Sequence, residues 1–91
     1  MLALSACAIA PPVQEMSDAR QALRAAEAVG AAQRSPDPLL AARHLLQEAQ
    51  TQLEAGAYTS ARRYALDARD AAIRAREIAT KAPPPPSSLS P

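Results

Sequence analysis

Apolar side chains recur along most of this chain at alternating steps of three and four residues, the spacing of one face of an α-helix. The first stripe consists of Met16, Ala19, Leu23, Ala26 and Gly30. This pattern predicts a helix over residues 13–33. Glycine within a helix costs about 1 kcal/mol relative to alanine, so Gly30 marks either a close contact between helices or an early helix end.

A second stripe begins after a proline-rich break at residues 34–38. Asp37 stands between two prolines there, which predicts a capping aspartate followed by Pro38 at the first helical position. The second helix is expected over residues 38–55, with a stripe of Leu39, Ala42, Leu46, Ala49 and Leu53. Gly56 is then the expected left-handed C-cap, and the short link that follows predicts an antiparallel helical hairpin.

The third stripe consists of small side chains only. Its members are Ala61, Ala65, Ala68, Ala72, Ala75 and Ala79, within a helix expected over residues 58–81. On the opposite face, Arg63 with Asp67 and Asp70 with Arg74 have the i,i+4 spacing of ion pairs. The sequence therefore predicts an all-α fold, a small three-helix protein in which helices two and three form the hairpin and helix one packs along it.

Composition excludes several classes of function. The 91 residues include ten basic and nine acidic side chains, two tyrosines, and neither Phe nor Trp. Because basic and acidic side chains nearly balance, the protein has no strong positive field that would attract nucleic acid. Two tyrosines are also too few to form a surface on which bases stack. One cysteine cannot form an intrachain disulfide, and we expect neither a metal site nor a cofactor.

The N-terminus carries a candidate lipidation site at Cys7. The run Leu4-Ser5-Ala6-Cys7 resembles a bacterial lipobox, which implies that Cys7 becomes the acylated first residue of an envelope lipoprotein. Residues 1–7 are then a truncated signal, residues 8–12 a tether, residues 13–82 the helical domain and residues 83–91 a Pro/Ser-rich disordered tail. Three residues before the lipobox are too few for an export signal, so either the true start lies upstream or Cys7 is only a thiol.

A candidate partner-binding strip lies on the third predicted helix. It comprises Arg62, Leu66, Arg69, Ile73 and Arg76, which helical spacing places on one side. Guanidinium groups with apolar side chains between them suit a docking surface, on which the arginines pair with phosphates, with cell-wall carboxylates or with an acidic partner. Alternatively, the arginine stems merely cover the edge of the alanine stripe.

No set of residues indicates catalysis. His44 has no partner at ligand spacing and is expected to face solvent, while Glu48 and Glu54 fall on opposite sides of a helix. Thr59 and Ser60 are expected to cap a helix start. We therefore expect a protein that is not an enzyme, bound to an envelope protein or to itself and attached to the membrane only through an acyl chain.

Two families resemble parts of the chain. Gly56, Tyr58 and Ala61 have the spacing of the turn and second helix of a tetratricopeptide repeat. Residues 13–82 are similar to the Ala-rich bacterial lipoproteins of domain of unknown function 4398, through Ala19-Arg20, residues 25–28, the run 45–53, residues 56–58 and residues 61–63. That resemblance implies a helical domain on the periplasmic face of the outer membrane, with no assigned reaction. An alternative is a structural spacer that forms an alanine-zipper oligomer, like the murein lipoprotein.

Overall fold

Four helices make up the protein in a computed structural model that describes residues 10–82. They are α1 (Val13–Ala28), the single turn α2 (Ala31–Arg34), α3 (Pro36–Glu54) and α4 (Tyr58–Lys81). The predicted all-α architecture is confirmed, and α4 has the predicted bounds. The predicted tail at residues 83–91 lies outside the described residues.

α1 and α3 both pack against α4. Glu15 of α1 lies beside Arg62, near the start of α4, and Ala26 packs with Ala75 and Ala79, near its end. α1 therefore runs parallel to α4. α3 runs antiparallel to it, because Leu39 at the start of α3 joins the same cluster as Ala75 and Ala79. The predicted hairpin, with the first helix packed along it, is confirmed.

Alanine determines how closely these helices approach. All six alanines of the α4 stripe are at most 2% exposed. At one level of the bundle, Met16 of α1 and Ala49 of α3 meet Ala65 of α4 in a single buried cluster. A methyl group of this kind contributes only about 0.8 kcal/mol when it is buried. The core therefore depends on many small contacts along the helices and on a few larger side chains such as Leu39, which is 1% exposed.

The first helix is shorter than predicted. α1 ends at Ala28, and Gly30 has a φ of +83°, in the left-handed region that glycine adopts readily. The predicted single helix over residues 13–33 is therefore wrong, and Gly30 is the early helix end rather than a point of close contact. Residues 10–82 therefore contain four helices instead of the predicted three, and the additional helix is α2, which begins at Ala31.

The start of α3 also differs from the prediction. Pro36, rather than Pro38, is the first helical residue, and Ser35 is at the N-cap position. The side chain of Ser35 does not cap the helix. It is 3% exposed, and its hydroxyl donates a 2.7 Å hydrogen bond to the carbonyl oxygen of Ala75 in α4. The predicted cap by Asp37 is wrong, because Asp37 is the second helical residue and the N-cap position belongs to Ser35.

The turn between α3 and α4 follows the prediction in its backbone but not in its caps. Gly56 has a φ of +78°, as expected of a left-handed residue that ends a helix. Ala57 is the N-cap of α4 and makes no side-chain cap bond. Thr59 and Ser60 lie within the first turn, so their predicted role as caps is wrong.

Candidate functional site

The predicted docking strip lies on the flank of α4 that faces α1. Helical spacing aligns its five members along that flank, but their exposure changes along it. Arg62, Leu66 and Arg69 are half-buried, whereas Ile73 and Arg76 are exposed. The strip therefore has an inner part near the start of α4 and an outer part further along the helix.

Arg62 is engaged within the chain. Its Nη2 donates a 3.0 Å hydrogen bond to the carbonyl oxygen of Ala10, and its Nε lies 3.4 Å from a carboxylate oxygen of Glu15. The two charged side chains are 35% and 29% exposed, so solvent screens this ion pair only in part. Arg62 thus fastens the N-terminal end of α1 to α4, a role that the sequence pattern did not reveal.

Arg69 pairs with its neighbour on the same helix. Its Nη2 lies 3.1 Å from a carboxylate oxygen of Asp70, and the Asp70 side chain is 66% exposed. An exposed pair of this kind contributes about 0–1 kcal/mol, so a partner could recruit the guanidinium group at little cost. The expected pairs of Arg63 with Asp67 and Asp70 with Arg74 do not form within residues 10–82.

Ile73 and Arg76 form the open end of the strip. Ile73 is 42% exposed, although a bulky aliphatic side chain gains most when it is fully buried. It lies between Arg69 and Arg76, one helical turn from each. An aliphatic side chain flanked by two guanidinium groups combines apolar contact with pairing to carboxylates. The part of the strip that is available to a partner is therefore Arg69, Ile73 and Arg76.

Sequence reasoning missed a second apolar feature, on the outer face of α3. Leu40 is 64% exposed and borders a shallow, open depression. The other residues that line the depression are Asp37, Ala41, Arg43, His44 and Gln47. The sequence did indicate that Leu40 is exposed, because Leu40 directly follows Leu39 and therefore lies outside the stripe of buried residues. All six lining residues belong to α3, so the depression is a helix surface rather than a cleft between elements.

No metal-binding geometry is visible in residues 10–82. His44 is exposed, as predicted, and no cluster of three or more His, Cys, Asp or Glu side chains in this range could hold a metal ion. None of the helices described has the length and apolar character needed to cross a bilayer. The predicted lipidation site, Cys7, lies outside the described residues.

Comparison with known proteins assigns the chain to a family. No curated protein and no solved structure gives a significant match. The family described as "Domain of unknown function (DUF4398)" matches residues 14–83, a range that begins one residue into α1 and extends two residues beyond α4. Because this match covers most of the sequence and all four helices, the chain belongs to the DUF4398 family.

Proposed function

We propose that this protein is a non-enzymatic lipoprotein of the bacterial envelope, anchored through Cys7, whose helical domain binds another protein through the exposed part of the α4 strip. The binding surface is Arg69, Ile73 and Arg76. The exposure of Ile73 between two arginines is the observation that carries this proposal, because every alanine of the α4 stripe is already buried inside the chain. The partner surface would be acidic with an apolar centre.

The proposed cellular location rests on the resemblance to a lipobox. Leu4, Ser5 and Ala6 occupy the positions that precede the modified cysteine. Ala8 stands where an aspartate retains some lipoproteins at the inner membrane, so we propose the periplasmic face of the outer membrane.

Lipidation is tested by labelling cells with palmitate. The wild-type chain should incorporate label, Cys7→Ser should not, and globomycin, which inhibits the lipoprotein signal peptidase, should cause a precursor to accumulate. Labelling that persists in Cys7→Ser would refute the anchor.

The binding surface is tested with a photo-crosslinking amino acid at position 73 in living cells. The matched control is the same amino acid at Thr51, which is exposed on α3. We expect an adduct from position 73 that disappears when Arg69→Glu and Arg76→Glu reverse the flanking charges. Equal adducts from positions 73 and 51, or an adduct that survives charge reversal, would contradict this surface. The mass of the adduct separates a second copy of the chain from a different envelope protein.

The structural spacer is a second candidate with weaker support. An alanine-zipper oligomer needs an exposed stripe of small side chains to pack between copies. In this chain the α4 stripe, from Ala61 to Ala79, is occupied by α1 and α3. Sedimentation distinguishes the candidates, because a compact monomer excludes a long parallel rod.

A further inference from the structure

The segment that leads towards Cys7 is fixed to one end of the bundle. Arg62 holds the carbonyl oxygen of Ala10 at 3.0 Å, and the side chain of Pro12 is fully buried. The backbone amide of Met16 donates to the carbonyl of Pro12 over 3.0 Å, which joins the segment to the first turn of α1. Residues 10–12 are therefore attached to the helical bundle at Ala10 and Pro12.

This end of the bundle is the end that carries the α3–α4 turn. Arg62 belongs to the second turn of α4, and the link of residues 55–57 directly precedes that helix. The opposite end carries α2. There, the Ser35 hydroxyl bonds to Ala75 at 2.7 Å, and Nη1 of Arg34 donates to the carbonyl oxygen of Ala79 over 3.4 Å. At 1.5 Å per residue, Arg62 and Ala75 are about 20 Å apart along the helix axis.

Cys7 precedes Ala10, the residue bound by Arg62, by three positions in the sequence. Three residues of fully extended chain span at most about 11 Å, which is about half of the 20 Å that separates Arg62 from Ala75 along the helix axis. The net charge of +1, with both signs mixed along the helices, provides no strong attraction that would lay the bundle flat on a lipid surface.

From this geometry we infer that the protein presents its α3–α4 turn to the bilayer that holds Cys7 and directs its α2 end away from it, with Arg62 as the positioning residue. The inference rests on the proposed function in taking the attached surface to be a lipid bilayer. The turn consists of Ala55, Gly56 and Ala57, which have no bulky apolar side chain to insert. The lipid partner is therefore the headgroup layer, which the turn meets without penetrating it.

The natural sequence allows a clean test, because it contains one cysteine and no tryptophan. The full chain is coupled through Cys7 to phosphatidylcholine vesicles that carry maleimide lipids and a dansyl-labelled headgroup as energy acceptor. A single tryptophan donor replaces either Ala55, at the turn, or Ala32, in α2. Both alanines are exposed, so neither substitution disturbs the core, and circular dichroism checks that each variant is helical.

We expect energy transfer from position 55 to be several-fold more efficient than from position 32. Adding Arg62→Ala should reduce that difference, because Ala10 loses its hydrogen bond to α4 and Glu15 loses its ion pair. Adding Arg63→Ala should leave the difference unchanged, since Arg63 is exposed on the same helix turn and, within residues 10–82, forms no ion pair with α1.

Three results would overturn the inference. Equal transfer from the two positions indicates a bundle that lies flat or tumbles, and stronger transfer from position 32 indicates the opposite orientation. If Arg62→Ala leaves the difference in energy transfer between the two positions unchanged, Arg62 is not the positioning residue. Chemical coupling does not depend on acylation in cells, so failure of palmitate labelling and failure of this experiment are separate outcomes.

Discussion

Leu39 and Leu40 allow a direct measurement of what burial contributes to this fold. They are adjacent on α3, yet Leu39 is 1% exposed and Leu40 is 64% exposed. Leu39→Ala removes a fully buried side chain from the cluster that joins α1, α2, α3 and α4, at an expected cost of about 3 kcal/mol. Leu40→Ala should cost about 0.5 kcal/mol, as exposed substitutions do. The small gain in helix propensity is the same in both variants and cancels.

The expected loss is large compared with the stability of so small a domain. At 0.05–0.15 kcal/mol per residue, residues 10–82 have a total stability of roughly 4–11 kcal/mol. A loss of 3 kcal/mol lowers Tm by about 12–24 °C for a domain of this length. Urea unfolding followed by circular dichroism measures both variants against the wild type. Equal losses in the two variants, or a larger loss from Leu40→Ala, would refute the assignment of Leu39 to the core.

Three further substitutions test individual features, each by urea unfolding. Ala72→Leu forces a larger side chain between closely packed helices and should cost about 1–3 kcal/mol, whereas Ala41→Leu on the exposed face of α3 should cost less than about 0.5 kcal/mol; similar values would contradict the buried stripe. Gly56→Ala should lower the free energy of unfolding by about 1 kcal/mol, because a φ of +78° strains any residue with a side chain. The cost is conformational, since a β-carbon at this position meets no atom within 4 Å. An unchanged urea midpoint would argue against this turn. Ser35→Ala removes the hydrogen bond to Ala75 and should cost about 1 kcal/mol, and a neutral result would mean that this bond contributes nothing.

The sequence predicted the helices well because their stripes are regular. The six alanines of α4 recur without interruption and were identified as one buried face, which the structure confirms. The hairpin followed from Gly56, since a single left-handed glycine between two stripes leaves few other ways to connect helices. Regular spacing and backbone constraints are local properties, so they can be read along the chain.

Helix ends were predicted less well because they depend on contacts between distant residues. Asp37 has good capping chemistry, but α3 begins two residues earlier than predicted, at Pro36, next to Ser35, which is buried against Ala75, 40 residues away. In the sequence, the α1 stripe continues through Gly30. In the structure, Gly30 has a left-handed backbone conformation, which α1 cannot continue through. A contact between residues that are far apart in the chain, such as Ser35 with Ala75, leaves no recognisable pattern in the local sequence.

The candidate site shows the same division. Spacing alone grouped five residues of α4 into one strip, and it could not distinguish Arg62, which binds Ala10 and Glu15, from Arg76, which is exposed. The distinction depends on where α1 crosses the flank of α4. Leu40 was overlooked for a related reason. A stripe identifies the side chains that belong to it, but it does not indicate how exposed the neighbouring side chains are.

The central claim is that the alanine stripe of α4 packs against α1 and α3 within one chain. The most direct measurement is a methyl NOESY spectrum of protein labelled at methionine and alanine methyl groups, in which Met16 is the only methionine of residues 10–82. The account predicts cross-peaks from the Met16 ε-methyl to the methyls of both Ala49 and Ala65, which share its buried cluster. A folded, helical protein that shows neither cross-peak would contradict it.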